Sequence, residues 1–268
     1  MKLAAVQMIS GPAVAPNLER AAALIAEAAA QGAELVALPE YFPLIGAGDA
    51  ERLAAREAEG SGPIQDFLAA TAARHGLWLV GGSIPLVASD PDKLRNAMLV
   101  FDPSGRRVAR YDKIHLFGFT KGAESYDESV TIEAGDTPVA IDIEGLRVGL
   151  SICYDLRFPE LFRRLGPACR PLDLIVLPAA FTETTGRAHW EMLLRARAVE
   201  NQCYVLASAQ GGRHPSGRLT HGNSMLVDPW GEIVARMDKG EGVVVGELDP
   251  ARIADVRASL PALRHRIL

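Results

Sequence analysis

The chain has 268 residues, 49% of them apolar, and carries 28 Lys and Arg against 33 Asp and Glu, a net charge of −5. That length suits one large α/β unit or two ordinary domains with a sizeable core, and the lack of a basic surplus argues against nucleic acid and anionic membrane partners. Three scattered cysteines, Cys153, Cys169 and Cys203, are too few for a disulfide framework or a zinc knuckle and point to a reducing, cytoplasmic setting.

The first residues begin like a signal peptide, but Gln7, Ser10, Gly11 and Pro12 interrupt the apolar run, so residues 3–8 read as a first strand. No later run reaches the roughly 18 apolar residues of a membrane span. In chain order the pattern predicts a helix over 17–31, a strand over 35–38, a helix over 64–75 and strands over 77–80 and 97–101. A strand over 148–153, a helix over 159–165, a strand over 174–177 and a helix over 187–201 follow. Strands over 204–209, 224–227 and 243–246 complete the set.

Strands alternating with helices imply an α/β fold. Tight turns at Asp102-Pro-Ser-Gly105 and Asp228-Pro-Trp-Gly231 imply antiparallel neighbours as well, hence mixed sheets. Segments 33–40 and 171–178 echo each other, each an apolar strand stopped by Pro, which suggests two similar halves packed sheet on sheet. Without a flexible linker, residues 1–268 read as one domain. The polar stretch 118–136 reads as the longest loop. The tail 248–268 interleaves Ile253, Val256, Leu260, Leu263 and Ile267 with arginines. A free tail exposes fewer apolar side chains, so the tail is expected at the interface of a homodimer or larger homo-oligomer.

Cys153 ends the strand 148–153 just before a helix entered at Pro159. Nearby backbone N–H groups and the helix dipole are expected to lower its pKa from about 8.5 toward neutrality. An arbitrary cysteine is more often an inert core residue, and Cys169 and Cys203 keep that reading. The polar cluster Tyr154, Asp155 and Arg157 beside Cys153 sets it apart. Glu40 follows Pro39 at the carboxyl end of a strand, where ligands of open α/β sheets gather. Lys113 sits in the strand-like Arg110-Tyr-Asp-Lys-Ile-His-Leu116. Taken singly, Glu40 and Lys113 would be a loop acid and a solvated lysine. Together the three supply a nucleophile, a base and an oxyanion donor, the parts that amide hydrolysis through an acyl-enzyme needs. The backbone N–H of Tyr154 is a second oxyanion donor.

Leu-Pro-Glu40, Tyr-Asp-Lys113-Ile-His and Cys153-Tyr-Asp-Leu-Arg-Phe-Pro-Glu160, in that order and separated by 73 and 40 residues, resemble the three signatures of the nitrilase superfamily. The resemblance implies a four-layer α-β-β-α sandwich with two mixed sheets. It also implies a second glutamate, matched by Glu128, orienting Lys113 and substrate. Segments 181–205 and 228–231 are similar to the Nit subgroup, which acts on amides. Nitrile-cleaving members more often carry Trp-Glu where this chain has Tyr154-Asp155, so an amide is expected over a nitrile.

The implied substrate is a small-molecule amide bearing a carboxylate, deaminated-glutathione-like ahead of a short ω-amide of an α-keto acid. Arg157, Phe181 and Thr182 are the candidates for binding it. Arg187, Arg195 and Arg197 could join them or could serve ion pairs with Glu160, Glu191 and Glu200. Asn223, where the subgroup usually shows His, and the departing segment 117–125 are both expected near the pocket. His115 and His189 read as hydrogen-bonded structural groups. No phosphate loop or metal-ligand spacing occurs, so no cofactor and no metal are expected. The competing class, a class I glutamine amidotransferase, would need glycines around the cysteine and a late His-x-Glu pair. A non-enzymatic interaction module would have no need of the three residues together.

Overall fold

The computed structural model describes residues 1–46, 48–122 and 124–267. In chain order it forms β1 (Lys2–Gln7), α1 (Val14–Ala30), β2 (Leu35–Ala37), α2 (Asp49–Ala54), α3 (Pro63–His75), β3 (Trp78–Val80), β4 (Ile84–Val87), β5 (Leu94–Phe101) and β6 (Arg107–Asp112). A hairpin of β7 (Gly118–Lys121) and β8 (Glu124–Asp127) precedes β9 (Ala140–Ile143), β10 (Leu146–Leu150), α4 (Pro159–Leu165), β11 (Leu174–Ala179) and α5 (Glu183–Asn201). The chain closes with β12 (Tyr204–Ala209), β13 (Met225–Val227), β14 (Ile233–Arg236), β15 (Gly242–Glu247) and α6 (Pro250–Ser259).

Two mixed sheets result. In the first, β1, β2 and β3 are parallel neighbours, β15 flanks β1 antiparallel, and β5 pairs antiparallel with β3, β4 and β6. The second runs β14-β13-β12-β11-β10-β9, parallel only at β10–β11 and β11–β12. The echoed segments thus become β2 and β11, each a parallel strand inside its sheet.

Strand periodicity explains the layering. Leu3 and Ala5 of β1 and Leu35 and Ala37 of β2 join the core that holds the second sheet, whereas Ala4, Val6, Val36 and Leu38 pack with Leu24, Ile25, Leu68 and Ala72 of α1 and α3. Both faces of these strands are buried, which is why they read as unbroken apolar runs. β1 lies against β12 across the sheet interface, and α5 covers β12 and β13 from outside. The four-layer α-β-β-α sandwich follows.

The structure amends several expectations. β4 and β9 escaped the reading because they are short, whereas β6 and β14, implied by the hairpin turns at 102–105 and 228–231, were given no bounds because they are half exposed, as in the alternating burial of β14. The strand ending at Cys153 stops at Leu150, and Cys153 opens a 3-10 turn. The stretch 118–136 holds the β7–β8 hairpin and a second 3-10 turn at Glu128–Val130. The tail is no loose segment. Asp249 caps α6, Arg257 bonds Asp173 and the carbonyls of Leu172 and Gln202, and Ile253, Val256 and Leu263 are buried by their own chain. Of the five apolar tail residues named above, Leu260 and Ile267 are exposed.

Candidate active site

Glu40 stands where β2 has ended and Leu38-Pro39 carries the chain out of the sheet. Its side chain is buried and fully engaged: Oε1 accepts from Lys113 Nζ at 2.9 Å and Asn96 Nδ2 at 3.0 Å, and Oε2 accepts from the Ala180 N–H at 2.9 Å. The peptide before it is closely approached by Gly82, where a Cβ would lie 2.2 Å from the Pro39 carbonyl oxygen and φ is +57°. Only glycine fits there.

Lys113 follows β6 directly and has no exposed side-chain surface. Its ammonium also reaches Glu128 Oε2 at 2.7 Å. Glu128, in the turn after β8, accepts further from the Tyr41 hydroxyl at 2.7 Å and the Phe117 N–H at 2.8 Å. One cation therefore sits between two carboxylates. Burial works against the charged lysine, but Glu128 and Glu40 outweigh it and hold its pKa well above the usual value. Burial likewise opposes the Glu128 carboxylate, and the contact with Lys113 overrides it, so Glu128 titrates below its usual range.

Cys153 is buried at the head of the turn Cys153–Arg157 and adopts a left-handed φ of 50°. A non-glycine residue holds that conformation only where its surroundings impose it. Asp155, itself without exposed surface, supplies the constraint. Its Oδ2 accepts from the Tyr111 hydroxyl at 2.6 Å and the Ile152 N–H at 2.8 Å, and its Oδ1 takes the His115 N–H at 3.1 Å and contacts His115 Nδ1 at 2.7 Å. The cysteine turn is thereby clamped to the segment that bears Lys113. His115 also stacks on Phe158 at 3.7 Å.

The expected lowering of the thiol pKa is reversed. Burial pushes Cys153 well above its ordinary value, the adjacent Glu40 carboxylate pushes the same way, and Lys113 only partly opposes them. A dipole at the end of a short turn is weak beside desolvation and a neighbouring full charge. At neutral pH the thiol keeps its proton.

A small, narrow pocket opens onto these groups, walled by Glu40, Glu128 and Cys153 together with Phe117, Tyr154, Arg157, Phe181, Thr182, Thr185 and Arg218. Every side chain expected to bind substrate is therefore on its wall. Arg157 lies 5.7 Å from the Tyr154 ring centre and 5.3 Å from that of Phe181, and its NH1 is 3.2 Å from His189 Nδ1. No carboxylate among the described residues pairs with Arg157. Thr182 caps α5 through its contact with the Thr185 N–H.

Of the two readings left open for the other arginines, ion pairing holds: Arg187 and Arg195 pair on the α5 surface with Glu183 and Glu191, and the buried Arg197 pairs with Glu200 and donates to the Leu156 carbonyl. Asn223 faces away from the thiol pocket, bonding Arg236 and, through its carbonyl, the Trp190 indole. Asn96, Tyr41 and Arg218 went unnoticed. An amide inside the apolar run of β5 was a usable signal for Asn96, whereas nothing local marked Arg218. Among the described residues no cluster of three or more His, Cys, Asp or Glu could hold a metal ion, and no helix is long and apolar enough to cross a membrane.

Comparison with known proteins agrees with this geometry. The carbon-nitrogen hydrolase family model matches residues 2–258. A deaminated glutathione amidase of Synechocystis sp. is 42% identical over 268 residues, spanning 98% of this chain and 97% of its own length. The omega-amidase NIT2 of Homo sapiens is 38% identical over 275 residues, spanning 99% and 94%. The crystal structure of Saccharomyces cerevisiae Nit3, a member of the nitrilase superfamily, superposes with a TM-score of 0.89 at 33% identity, covering 100% of this chain and 97% of that one. A matching family model over nearly the whole length, relatives well above 30% identity and a shared sandwich establish that this chain belongs to the carbon-nitrogen hydrolase family, within the nitrilase superfamily.

Proposed function

We propose that the protein is a cysteine-dependent amidase that hydrolyses the C–N bond of a small amide whose acyl part carries a carboxylate. The observation that carries this reading is that Cys153 and Glu40 wall one small pocket, with the buried Lys113 ammonium hydrogen-bonded to Glu40 directly behind it. In the resting state burial, reinforced by the adjacent Glu40 carboxylate, keeps the thiol neutral until attack. As Cys153 Sγ adds to the amide carbonyl, its proton passes to Glu40. The negative charge moves to the carbonyl oxygen, where the Lys113 ammonium and the Tyr154 N–H stabilise it. Glu40 then gives its proton to the departing nitrogen, leaving a thioester and a free amine. Water, deprotonated by the same Glu40, attacks the thioester and releases the acid and the thiol. Glu128 holds Lys113 charged and aimed through this cycle.

For the acyl carboxylate, Arg157 offers on the pocket wall a guanidinium that no carboxylate among the described residues pairs, with Phe181 and Thr182 beside it. Rates of amine or ammonia release for a deaminated-glutathione-like amide, a short ω-amide of an α-keto acid, a neutral aliphatic amide and the matching nitrile test the reading. A preference for the neutral amide by about tenfold, roughly 1.4 kcal/mol of transition-state binding, refutes carboxylate recognition. A preference for the nitrile refutes the amidase.

The same reading includes a cytoplasmic homo-oligomer. Free Cys153, Cys169 and Cys203 suit a reducing compartment, and exposed Met192, Val199, Trp230 and Leu260 offer apolar surface that a second copy could cover. Sedimentation as a monomer at micromolar concentration refutes the oligomer.

A further inference from the structure

By strand alternation the residues of β5 that face the second sheet run Val100, Met98 and then Asn96, a buried amide that ends an apolar row, while Ala97, Leu99 and Phe101 pack toward the helices. Asn96 Nδ2 donates to Glu40 Oε1 at 3.0 Å, and the Asn96 carbonyl accepts the Lys113 N–H at 3.0 Å. One residue thus holds the base through its side chain and the lysine through its main chain. We propose that Asn96 is a positioning residue that occupies Glu40 Oε1, so that Glu40 Oε2 alone carries the proton through each step of the reaction. The inference rests on the amidase reading above and specifies which atom of its base reacts.

The donors around Glu40 are unevenly shared. Oε1 accepts from the Lys113 ammonium at 2.9 Å as well as from Asn96, which fills both of its lone pairs. Oε2 accepts the Ala180 N–H at 2.9 Å and keeps a lone pair for the thiol of the adjacent Cys153. The orientation of the amide follows from chemistry: a carboxylate only accepts, so the Asn96 NH2 must face Glu40 and Oδ1 must point away. There Oδ1 is buried without a hydrogen-bond partner among the described residues. A buried acceptor left alone costs stability, and an apolar side chain of the same shape avoids that cost. A polar residue kept under such a penalty points to the reaction and not to the packing.

The main chain of Glu40 is anchored without Asn96. Gln210, directly after β12, donates from Nε2 to the Glu40 carbonyl at 3.1 Å, and the N–H of Tyr41 donates to Oγ of Ser83, directly before β4, at 3.1 Å. What remains free is rotation of the carboxylate about its last bond, which exchanges Oε1 with Oε2. Lys113 and Ala180 oppose that rotation, and Asn96 supplies the second donor on Oε1. As the C–S bond to the amide carbonyl forms, the thiol proton passes to Oε2, and the same proton goes to the departing nitrogen as the C–N bond breaks. Oε2 next takes a proton from the water that attacks the thioester and returns it to sulfur as the C–S bond breaks. While Oε2 is protonated, Oε1 is the carbonyl-like oxygen and still accepts from Lys113 and Asn96. Loss of the Asn96 donor opens Oε1 to the proton and frees the carboxylate to turn, so acylation and deacylation slow together.

The test takes whichever amide of the panel above the unaltered protein hydrolyses fastest. It measures kcat and KM, and the single-turnover rates of acylation and deacylation, for the unaltered protein, Asn96→Leu and Asn96→Ala. Both variants keep the main-chain bond to Lys113 and remove the side-chain donor, and they differ in volume, so a loss that they share does not come from packing. The proposal expects kcat to fall by about thirtyfold or more in each, on the scale of a misaligned reacting group. It expects KM to stay within about threefold, because Asn96 is not on the pocket wall and the two half-reactions slow by the same factor. Asn96→Ala, which adds no bulk, carries the test if Asn96→Leu fails to fold. A kcat within about threefold of the unaltered value in either folded variant overturns the positioning role and leaves the amidase standing. Slowing of one half-reaction alone, or a rise in KM with kcat kept, does the same. Failure of the unaltered protein on every amide overturns the amidase reading and the role of Asn96 with it.

Discussion

Replacing Asp155 by Asn keeps the shape of a buried side chain and removes its charge. Each carboxylate oxygen faces one backbone N–H, that of Ile152 at 2.8 Å or that of His115 at 3.1 Å, and one adjustable group, the Tyr111 hydroxyl or the His115 ring. Whichever way the new amide is turned, its NH2 points at one of the two N–H groups. A hydroxyl can rotate and an imidazole can change tautomer, but a backbone N–H cannot become an acceptor. One buried donor is thus orphaned, at about 1–3 kcal/mol, and the loss of charge-assisted bonds raises the total to about 2–4 kcal/mol. For a protein of this size that is a fall in melting temperature of roughly 4–16 °C. The orphaned group adjoins either the cysteine turn or the residue after Ile114, so the alignment of Cys153 with Lys113 loosens and kcat drops by about tenfold to a hundredfold. Thermal melting and steady-state amine release check both. A melting temperature within about 1 °C and a kcat within about twofold of the unaltered protein would refute the clamp.

Cys153→Ala should abolish hydrolysis while the melting curve stays cooperative, because the thiol packs at the pocket edge and its loss removes few contacts; turnover near the original value would sink the nucleophile. Glu40→Gln and Lys113→Ala should each cost several orders of magnitude in kcat and the double variant little more, since parts of one unit fail together. Lys113→Ala should also destabilise by about 3–5 kcal/mol, because it leaves two buried carboxylates without their cation; denaturant melts measure this. Glu128 titrates below its ordinary value of 4.5, so its contribution to stability is fully present above that pH and is lost as pH falls through the lower folded value. Glu128→Gln should therefore flatten the acid side of the stability profile, and an unchanged slope below pH 4.5 would count against the ion pair.

The sandwich was readable because its inner strands are buried on both faces, so β1, β2, β11 and β12 appear as apolar runs. Edge strands such as β14, with alternate residues half exposed, resemble loops until a neighbour is present to pair with them. The same logic governs the tail: Ile253 and Val256 looked like surface awaiting a partner, and α6 turns them onto the chain's own core. Arginines at helix spacing from glutamates could be read either way from sequence, and the direction in which α5 faces decided for ion pairs.

At the site, position along the chain marked Glu40, Lys113 and Cys153 only weakly one by one, and it was the three residue types together, in an order and spacing that resemble the nitrilase signatures, that singled them out. Glu128, Arg157, Phe181 and Thr182 were named through resemblance. What tertiary structure alone decided is the electrostatics and the company each group keeps. Whether a thiol titrates low or high depends on burial and on a carboxylate from a strand in the other sheet, which the local sequence around Cys153 does not contain. Asp155 acquires its role only when the sheets bring Tyr111 and His115 against the cysteine turn, and Arg218 only when a loop 65 residues beyond Cys153 folds over the same pocket. Strand patterns are written in near neighbours, whereas charge, desolvation and partnership depend on distances that exist only after the sheets have packed.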